Sequence, residues 1–236
     1  MTIVYDLVIK GGPVMWPLLG LSVATFACAM ERAVFWYQLL RQEDRIVHHV
    51  LDAARVDLSA AAAIAEQAQV LPIGRFLLAP LRLRRPTPET FRLAMEAAGD
   101  KEFVQMRKGD KLLETVVAIA PLLGLLGTVT GLMLTFNHLN VGGGGSAAGA
   151  TKAAAGIGEA LTATATGMIV AIIALVFCRI FVSLQASQVD YFSEVGSELE
   201  VIYRQFWYEP AIFEHASPYP PSIPSTPRST SQDLRT

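Results

Sequence analysis

Two stretches of the chain decide its fold class: residues 124–136 read GLLGTVTGLMLTF, and residues 156–172 read GIGEALTATATGMIVAI. Glu159 is the only charged residue in either stretch. Each lies in an otherwise uncharged run close to the ~20 residues that an α-helix needs to cross a bilayer. A third run, residues 11–30, also lacks charged side chains. The sequence therefore predicts an all-α integral membrane protein with three transmembrane helices and helical extensions.

The composition of the whole chain favours a membrane protein over a soluble one. Of 236 residues, 52% are hydrophobic and only 17% are charged, against about 25% charged residues in an ordinary soluble domain. The formal net charge of -2 excludes the basic excess that nucleic-acid binding requires. The two cysteines, Cys28 and Cys178, lie in separate apolar runs, which excludes a disulfide scaffold and a Cys-x-x-Cys metal site.

The first apolar run has a second interpretation, as a cleaved signal peptide. Ala27-Cys28-Ala29 resembles the small-residue site at which signal peptidase cuts. Asp6 before the run and the length of the run itself disfavour this. We therefore expect the first span to be retained.

Lysine and arginine residues set the expected orientation. Residues 38–111, the insert between the first two spans, carry 12 of them, whereas the flanking outer segments carry only Lys10 and Lys152. Loops rich in Lys and Arg near span ends stay in the cytoplasm, so the insert and the C-terminus should be cytoplasmic and the N-terminus outside. We predict the following order: periplasmic N-terminus (1–10), transmembrane helix 1 (11–37), cytoplasmic helical insert (38–111), transmembrane helix 2 (112–136), periplasmic Gly-rich loop (137–152), transmembrane helix 3 (153–182), cytoplasmic helix (183–209) and disordered tail (210–236).

The segments outside the spans also show helical patterns. Thr87-Pro88-Glu89 predicts a helix start, from which one helix can run straight into the second span. Ser59 followed by a run of alanines favours another helix. Beyond the third span, apolar residues recur every three or four positions, which predicts an amphipathic continuation of that helix. Its apolar face requires a partner, either the insert or another copy of the chain.

No pattern in the sequence is typical of an enzyme. Residues 142–146, GGGGS, lack the Lys-Ser/Thr of a phosphate loop and favour a flexible connector. His48 and His49 are adjacent, so on a helix they would point to different sides and would not share a metal. No Ser/His/Asp, Cys/His or paired-carboxylate arrangement stands out. We therefore expect no enzymatic activity, metal or cofactor.

The second span separates small and hydroxyl side chains from large apolar ones on a helical wheel. Such a stripe lets other helices approach closely, and a threonine can hydrogen-bond across the contact. We expect the small stripes of spans two and three to pack the subunits of an oligomer. Thr128, on the same stripe, has either a packing role alone or a functional role as well. The residues assigned to helix packing are Gly124, Gly127, Gly131 and Gly167.

Glu159 is the only acid within the third apolar region. A carboxylate facing lipid is costly, so Glu159 should face a protein interior or a water-filled cavity. Thr162 and Thr166 fall on the same side of the wheel, whereas Thr164 lies about 140° away. The alternative is that Glu159 lies close to the outer interface and is simply in contact with water.

These residues resemble a known family. The two stretches quoted at the outset, together with GGPVMWPLL at 11–19, Glu31-Arg32 and Phe35-Trp36, resemble the MotA/TolQ/ExbB proton-channel family, and most closely ExbB. The resemblance is strong over spans two and three, good over span one and slight elsewhere. It implies a homopentamer in the bacterial inner membrane around two single-span ExbD-type subunits. It also implies that the proton-motive force drives an attached TonB-type protein.

The resemblance also implies roles for individual residues. Thr128 matches the functional threonine of the family's second span, and Glu159 and Thr164 match the functional glutamate and threonine of its third. With Thr162 and Thr166, these residues are expected to line a proton pathway or lumen, and the partner is expected to supply the main proton carrier. The implied function is an ExbB-like motor subunit that energises outer-membrane transport. A TolQ-like subunit supporting envelope integrity and a passive membrane scaffold or channel are the alternatives.

Overall fold

The computed structural model describes residues 12–141 and 147–216, and all regular structure in these two ranges is helical. The predicted N-terminus (1–10), the GGGGS connector and the tail beyond Ala216 lie outside the described residues. The elements are α1 (Met15–Ala54), α2 (Leu58–Gln67), α3 (Pro72–Leu81), α4 (Pro88–Met106), α5 (Asp110–Val141), α6 (Ala147–Tyr203), one π-helical turn (Arg204–Tyr208) and α7 (Glu209–Ala216).

Three helices, α1, α5 and α6, contain segments long and apolar enough to cross a membrane. The predicted all-α membrane fold is therefore confirmed. The helices extend well past the predicted spans, since α1 has 40 residues and α6 has 57. At 1.5 Å per residue, α6 is about 86 Å long.

Two predicted non-helical segments are partly helical. The predicted tail from residue 210 is corrected at its start, because residues 210–216 belong to α7. The predicted Gly-rich loop at 137–152 is likewise shorter, because α5 continues to Val141 and α6 begins at Ala147. Alanine-rich sequence on the α6 side supports helix formation there, since alanine has the highest helix propensity.

The helix predicted to run from Thr87 into span two is interrupted once. α4 ends at Met106, residues 107–109 form a turn, and α5 begins at Asp110. Gly109 has φ +94°, a left-handed conformation that glycine adopts without strain and that ends helices. The predicted start is confirmed: the hydroxyl of Thr87 accepts a hydrogen bond from the backbone N–H of Thr90 at 3.2 Å.

The extension of α6 beyond the third span packs on the insert. The ring of Phe192, which is 1% exposed, lies 4.8 Å from the ring of Phe76 and 5.3 Å from that of Phe103. Between the insert helices, Arg75 forms a two-bond ion pair with the buried Glu102, at 2.5 and 2.7 Å. The partner of the amphipathic face is therefore the insert of the same chain.

A buried polar pair joins α1 to α6 beyond the predicted spans. The amide Nε2 of Gln188 donates to Oε1 of Glu43 at 2.8 Å, and both side chains are buried. Among the described residues, Glu43 Oε2 and Gln188 Oε1 have no hydrogen-bond partner. A protonated Glu43 would gain an O–H that could donate to the amide oxygen of Gln188. Burial raises the pKa of Glu43, in the direction that this arrangement requires.

Candidate functional site

The small-residue stripe of α5 packs directly on α6. A Cβ added at Gly127 would lie 2.5 Å from the Cβ of Ala163, and one at Gly131 would lie 2.9 Å from the Cβ of Ala160. Cβ atoms do not approach this closely, so glycine is required at both positions for the helices to adopt this separation. The two spans are thus held by backbone-to-backbone proximity rather than by large side chains.

This contact lies within one chain, so the four packing glycines join α5 to α6 of the same chain, and packing between subunits stays a prediction. Sequential helices joined by a short connection become antiparallel neighbours, and the small faces of α5 and α6 meet for that reason. The large apolar side chains of α5 point outward instead. Leu125, Val129, Met133 and Phe136 are each more than half exposed, at 57%, 52%, 61% and 62%. This large-residue face of α5 is available to lipid or to a neighbouring subunit.

Thr164 joins the two spans with an interhelical hydrogen bond. Its Oγ1 donates to the carbonyl oxygen of Gly124 at 2.8 Å. A Cβ at Gly124 would lie 3.0 Å from the Cα of Thr164, and one at Gly167 would lie 3.1 Å from the Cα of Gly124. The hydrogen bond therefore depends on the close approach that these two glycines allow.

Thr128 lies about one turn along α5 from Gly124 and is half-buried. Its hydroxyl donates to the carbonyl oxygen of Leu125 in its own helix at 2.6 Å. Thr130, two residues on, donates to the carbonyl oxygen of Leu126 at 3.0 Å. The structure thus brings Thr164, but not Thr128, into a hydrogen bond between spans. The oxygen of Thr128 retains acceptor capacity for an incoming group.

Glu159, Thr162 and Thr166 form a half-exposed row along α6, here termed the α6 polar stripe. Intervals of three and four residues place them on one side of the helix over about 10 Å. Thr162 donates to the carbonyl oxygen of Gly158 at 2.8 Å, and Thr166 donates to that of Thr162 at 2.9 Å. Their protons are satisfied locally, so the stripe presents oxygen acceptors outward.

The carboxylate of Glu159 lies against the beginning of α1. A side chain at Gly12 would collide with Oε1 of Glu159, and Gly12 has φ +72°. The N-terminal end of a helix favours a nearby negative charge because its first N–H groups have no partners within the helix. Glu159 therefore lies at the end of the spans remote from the insert, about 18 Å along α6 from Ala147.

Sequence reasoning missed the contact between Gly12 and Glu159. The available signal was the Gly11-Gly12-Pro13 run directly before the first span, since paired glycines often mark a close backbone approach. The lumen and outer-edge interpretations of Glu159 both stay predictions, because the contact places the residue near the span end without defining a bilayer surface.

A second polar cluster lies where the spans meet the insert. The guanidinium of the buried Arg32 donates to the carbonyl oxygen of Met106, and Gln185 donates to Asp110 at 2.7 Å. Arg32 also lies over the ring of Phe35, 4.7 Å from its centroid. These contacts anchor α1 and α6 to the turn between α4 and α5, and they give a structural reason for Arg32, Phe35 and Trp36 in that pattern.

Fold and site together define a class of three-span helical membrane proteins with a helical insert and hydroxyl-bearing second and third spans. The profile of the MotA/TolQ/ExbB proton channel family matches residues 68–194, more than half of the chain. The chain belongs to this family, and the resemblance drawn from its motifs is confirmed.

The sequences of related proteins agree with this membership. The chain is 66% identical over 205 residues to the putative biopolymer transport protein ExbB-like 1 of Synechocystis sp., covering 87% of this chain and 81% of that protein. It is 39% identical over 207 residues to ExbB-like 3 of the same organism, covering 88% and 98%. It is 34% identical over 113 residues to the Tol-Pal system protein TolQ of Haemophilus influenzae, covering 48% of each chain.

Proposed function

We propose that this chain is an ExbB-like subunit of an inner-membrane motor that uses the proton-motive force to energise outer-membrane transport. The observation that carries the proposal is the α6 polar stripe. Glu159, Thr162 and Thr166 are half-exposed on one side of the apolar segment of α6. Polar side chains at such positions are costly against lipid and favour water or a protein partner. Membership of a proton-channel family and similarity to proteins named for biopolymer transport support the same function.

The motor requires a partner that carries protons through the apolar region. Glu159 is the only acidic side chain in the three apolar runs of this chain, and it lies at one end of the spans. A continuous proton path therefore needs a second ionisable group at greater depth. By the family resemblance this group belongs to an ExbD-type single-span protein, and a TonB-type protein is the one driven. Thr128, Thr164 and the α6 polar stripe would then offer oxygen atoms to the partner's carboxylate.

The same proposal includes a ring of five copies. Because the small faces of α5 and α6 are used within the chain, ring contacts would involve the large-residue face of α5, from Leu125 to Phe136. Native mass spectrometry of a mild-detergent extract is expected to give a pentamer with bound partner chains. A stable monomer would contradict the ring.

Proton flux into proteoliposomes tests the function. We expect flux down an imposed pH gradient when the chain is co-purified with its ExbD-type neighbour, and none from the chain alone. Thr166→Val keeps the side-chain shape and removes a stripe hydroxyl, so flux should fall. Thr115→Val is the matched control. The exposed Thr115 hydroxyl also donates within its own helix, to the carbonyl oxygen of Lys111 at 2.6 Å, but Thr115 is not part of the α6 polar stripe. Flux from the chain alone would instead support the passive channel.

A TolQ-like role in envelope integrity is the second candidate, and the similarity to TolQ of Haemophilus influenzae favours it. Complementation separates the two. Restored uptake in a strain lacking ExbB supports the first role, and restored detergent resistance in a strain lacking TolQ supports the second.

A further inference from the structure

An open apolar groove of about 800 Å³ lies between the insert and the end of α6. One wall comes from residues 80–86 and the start of α4, and the other comes from residues 203–212. Four aromatic side chains line it: Phe91, Tyr203, Trp207 and Tyr208. Neither the candidate proton pathway nor the contacts between spans involve this groove.

The aromatic walls are fixed in place by their own contacts. The rings of Phe91 and Tyr203 stack with centroids 4.3 Å apart and planes 5° from parallel. The Tyr203 hydroxyl donates to the carbonyl oxygen of Pro86 at 2.5 Å, and Nε1 of Trp207 donates to that of Ala54 at 2.8 Å. The polar atoms of both side chains are therefore satisfied, and the partly exposed ring of Trp207 remains for an apolar ligand.

The π-helical turn shapes the second wall. This turn, Arg204–Tyr208, widens the helix by one residue and brings both Trp207 and Tyr208 to the groove. Single π-turns interrupt helices mostly at functional positions. On the rim, Leu83 and Ile212 are 39% and 47% exposed, so the groove is open and its apolar lining lacks a cover among the described residues.

The sequence that directly follows α7 has the chemistry to fill such a groove. Prolines stand at 218, 220, 221, 224 and 227, and the four at 218, 221, 224 and 227 recur at an interval of three residues. A polyproline II helix has three residues per turn, so these four prolines would form one continuous face. Each successive pair makes a P-x-x-P unit, and aromatic-lined grooves are the surfaces that bind such units.

We propose that segment 218–227 of the same chain docks in this groove as a polyproline II helix. Ile212 on the rim is four residues, about 6 Å, from Ala216, where α7 ends. The wall formed by residues 203–212 is about 14 Å long. A polyproline II helix rises 3.1 Å per residue, so about five residues are enough to span this wall. A short covalent connection gives the segment an effective concentration of about millimolar, which favours the chain's own segment over a free one.

Docking would bind the Pro-rich segment to two elements that are far apart in sequence, the 80–86 segment of the insert and the end of α6. A segment regarded as disordered from its composition alone would then be ordered by contact with the groove.

Site-specific photo-crosslinking in the full-length chain tests the proposal. A benzophenone amino acid replaces Ile223, between two of the prolines, and a second preparation carries it at Ser231, beyond the last proline. Peptide mass spectrometry is expected to locate the Ile223 cross-links on residues 80–91 and 203–212, with few from Ser231.

The substitution Ile212→Glu places a charge on the exposed rim and should lower the cross-link yield about tenfold, since a carboxylate against an apolar ligand is strongly unfavourable. Val201→Glu is the matched control, because Val201, near the end of α6, is 58% exposed but does not line the groove.

The outcomes separate the possible occupants. Two results together support the proposal. Cross-links are lost in the double variant Pro221→Ala plus Pro224→Ala, and they are lost in Ile212→Glu but kept in Val201→Glu. Mixing isotopically labelled and unlabelled chains before assembly identifies the donor of the segment. Cross-links between labelled and unlabelled chains would overturn docking within one chain and assign the groove to a neighbouring copy. Cross-links unchanged by Ile212→Glu, or spread over other surfaces, would overturn the groove as the binding site.

Discussion

At the residue scale, the two candidate threonines of the spans differ in what their hydroxyls contact. Thr164 donates across to the carbonyl oxygen of Gly124 in α5, whereas Thr128 donates within its own helix. The same side chain therefore stabilises a contact between spans in one case and bonds only within its own helix in the other. This difference gives separable effects of mutation.

We expect Thr164→Val to lower the stability of the folded chain by about 1 kcal/mol, the usual contribution of a hydrogen bond between membrane helices. Thr128→Val should leave the melting temperature in detergent unchanged and should still impair energy-dependent uptake. Thr130→Val is the control for Thr128, because its hydroxyl is also satisfied within α5. Equal melting temperatures for Thr164→Val and the unmodified protein would contradict the interhelical bond.

Glu159 is tested by separating size, hydrogen bonding and proton exchange. Gln keeps the size and hydrogen bonding of Glu but cannot take up a proton, and Ala removes all three. If proton exchange is required, Glu159→Gln and Glu159→Ala should both abolish energy-dependent uptake while the complex still assembles. Uptake retained by Gln and lost in Ala would assign a hydrogen-bonding role. Normal uptake with Glu159→Ala, at normal protein level, would refute the lumen role and leave the outer-edge interpretation.

Glu43 should make the stability of the protein depend on pH. In the unfolded chain it titrates near the ordinary value of 4.5, whereas burial raises its pKa in the folded protein. The folded state therefore binds the proton more tightly, and the stability that this contributes is complete below pH 4.5 and is lost as pH rises through the folded pKa.

Glu43→Gln imitates the protonated form, because its amide can donate to Gln188 Oε1. We expect this variant to melt higher than the unmodified protein at pH 8, with the difference shrinking towards pH 5. Glu194→Gln, at an exposed position of α6, should show no such trend.

At the element scale, the pairing of α5 with α6 depends on where glycine lies rather than on how much glycine is present. A Cβ at Gly131 would meet the Cβ of Ala160, whereas a Cβ at Gly158 on α6 would meet no described atom within 4 Å. These two glycines, one on each helix of the pair, thus have opposite tolerances for a side chain.

Gly131→Leu is expected to destabilise the folded subunit by about 1–3 kcal/mol, because a larger side chain would force the two spans apart. Gly158→Leu should leave the subunit's melting temperature unchanged. Thermal unfolding in detergent, followed by circular dichroism, compares the two. A neutral Gly131→Leu would mean that α5 and α6 do not pack as described.

The three apolar spans and the helical character of the insert were predictable because membrane spans and amphipathic faces are local patterns. The uncharged runs required helices, and the small and large faces of span two correspond to its buried and exposed sides. What each face contacts was not local information. From the sequence, the apolar face after Leu184 could pack on either the insert or another copy of the chain. The contacts of Phe192 with Phe76 and Phe103 show that it packs on the insert. The break at Gly109 was missed because a single glycine between two helical patterns can continue or end a helix.

At the scale of the whole molecule, the candidate site was predictable as a set of residue types but not as an arrangement. A lone carboxylate in an apolar helix indicates a functional position, and threonines in such helices indicate packing, function or both. Which hydroxyl crosses between helices depends on the packing of α5 on α6, and the neighbour of Glu159 is Gly12, which lies far from it in the chain. Long-range contacts of this kind leave no periodic signal in one sequence.

The predicted orientation applies to the molecule as a whole and can be tested by labelling. In a background with Cys28→Ala and Cys178→Ala, a membrane-impermeant maleimide added to intact spheroplasts should label Ser146→Cys but not Ser59→Cys. Both positions should react after the membrane is permeabilised, which controls for accessibility. Equal labelling before permeabilisation would contradict an outside loop and a cytoplasmic insert.

The unbroken length of α6 has a mechanical consequence. The helix that carries the polar stripe continues without interruption for 57 residues, and its far part is packed into the insert through Phe192. A hydrogen-bonded helix resists twisting about its axis, so a rotation imposed beside Glu159 would reach Phe192, about 50 Å further along α6, as torque on the insert. By contrast, the turn at Gly109 separates α4 from α5 and would allow one of these helices to rotate relative to the other. The molecule thus contains a continuous long helix, α6, beside a helix pair, α4 and α5, that is interrupted by a turn.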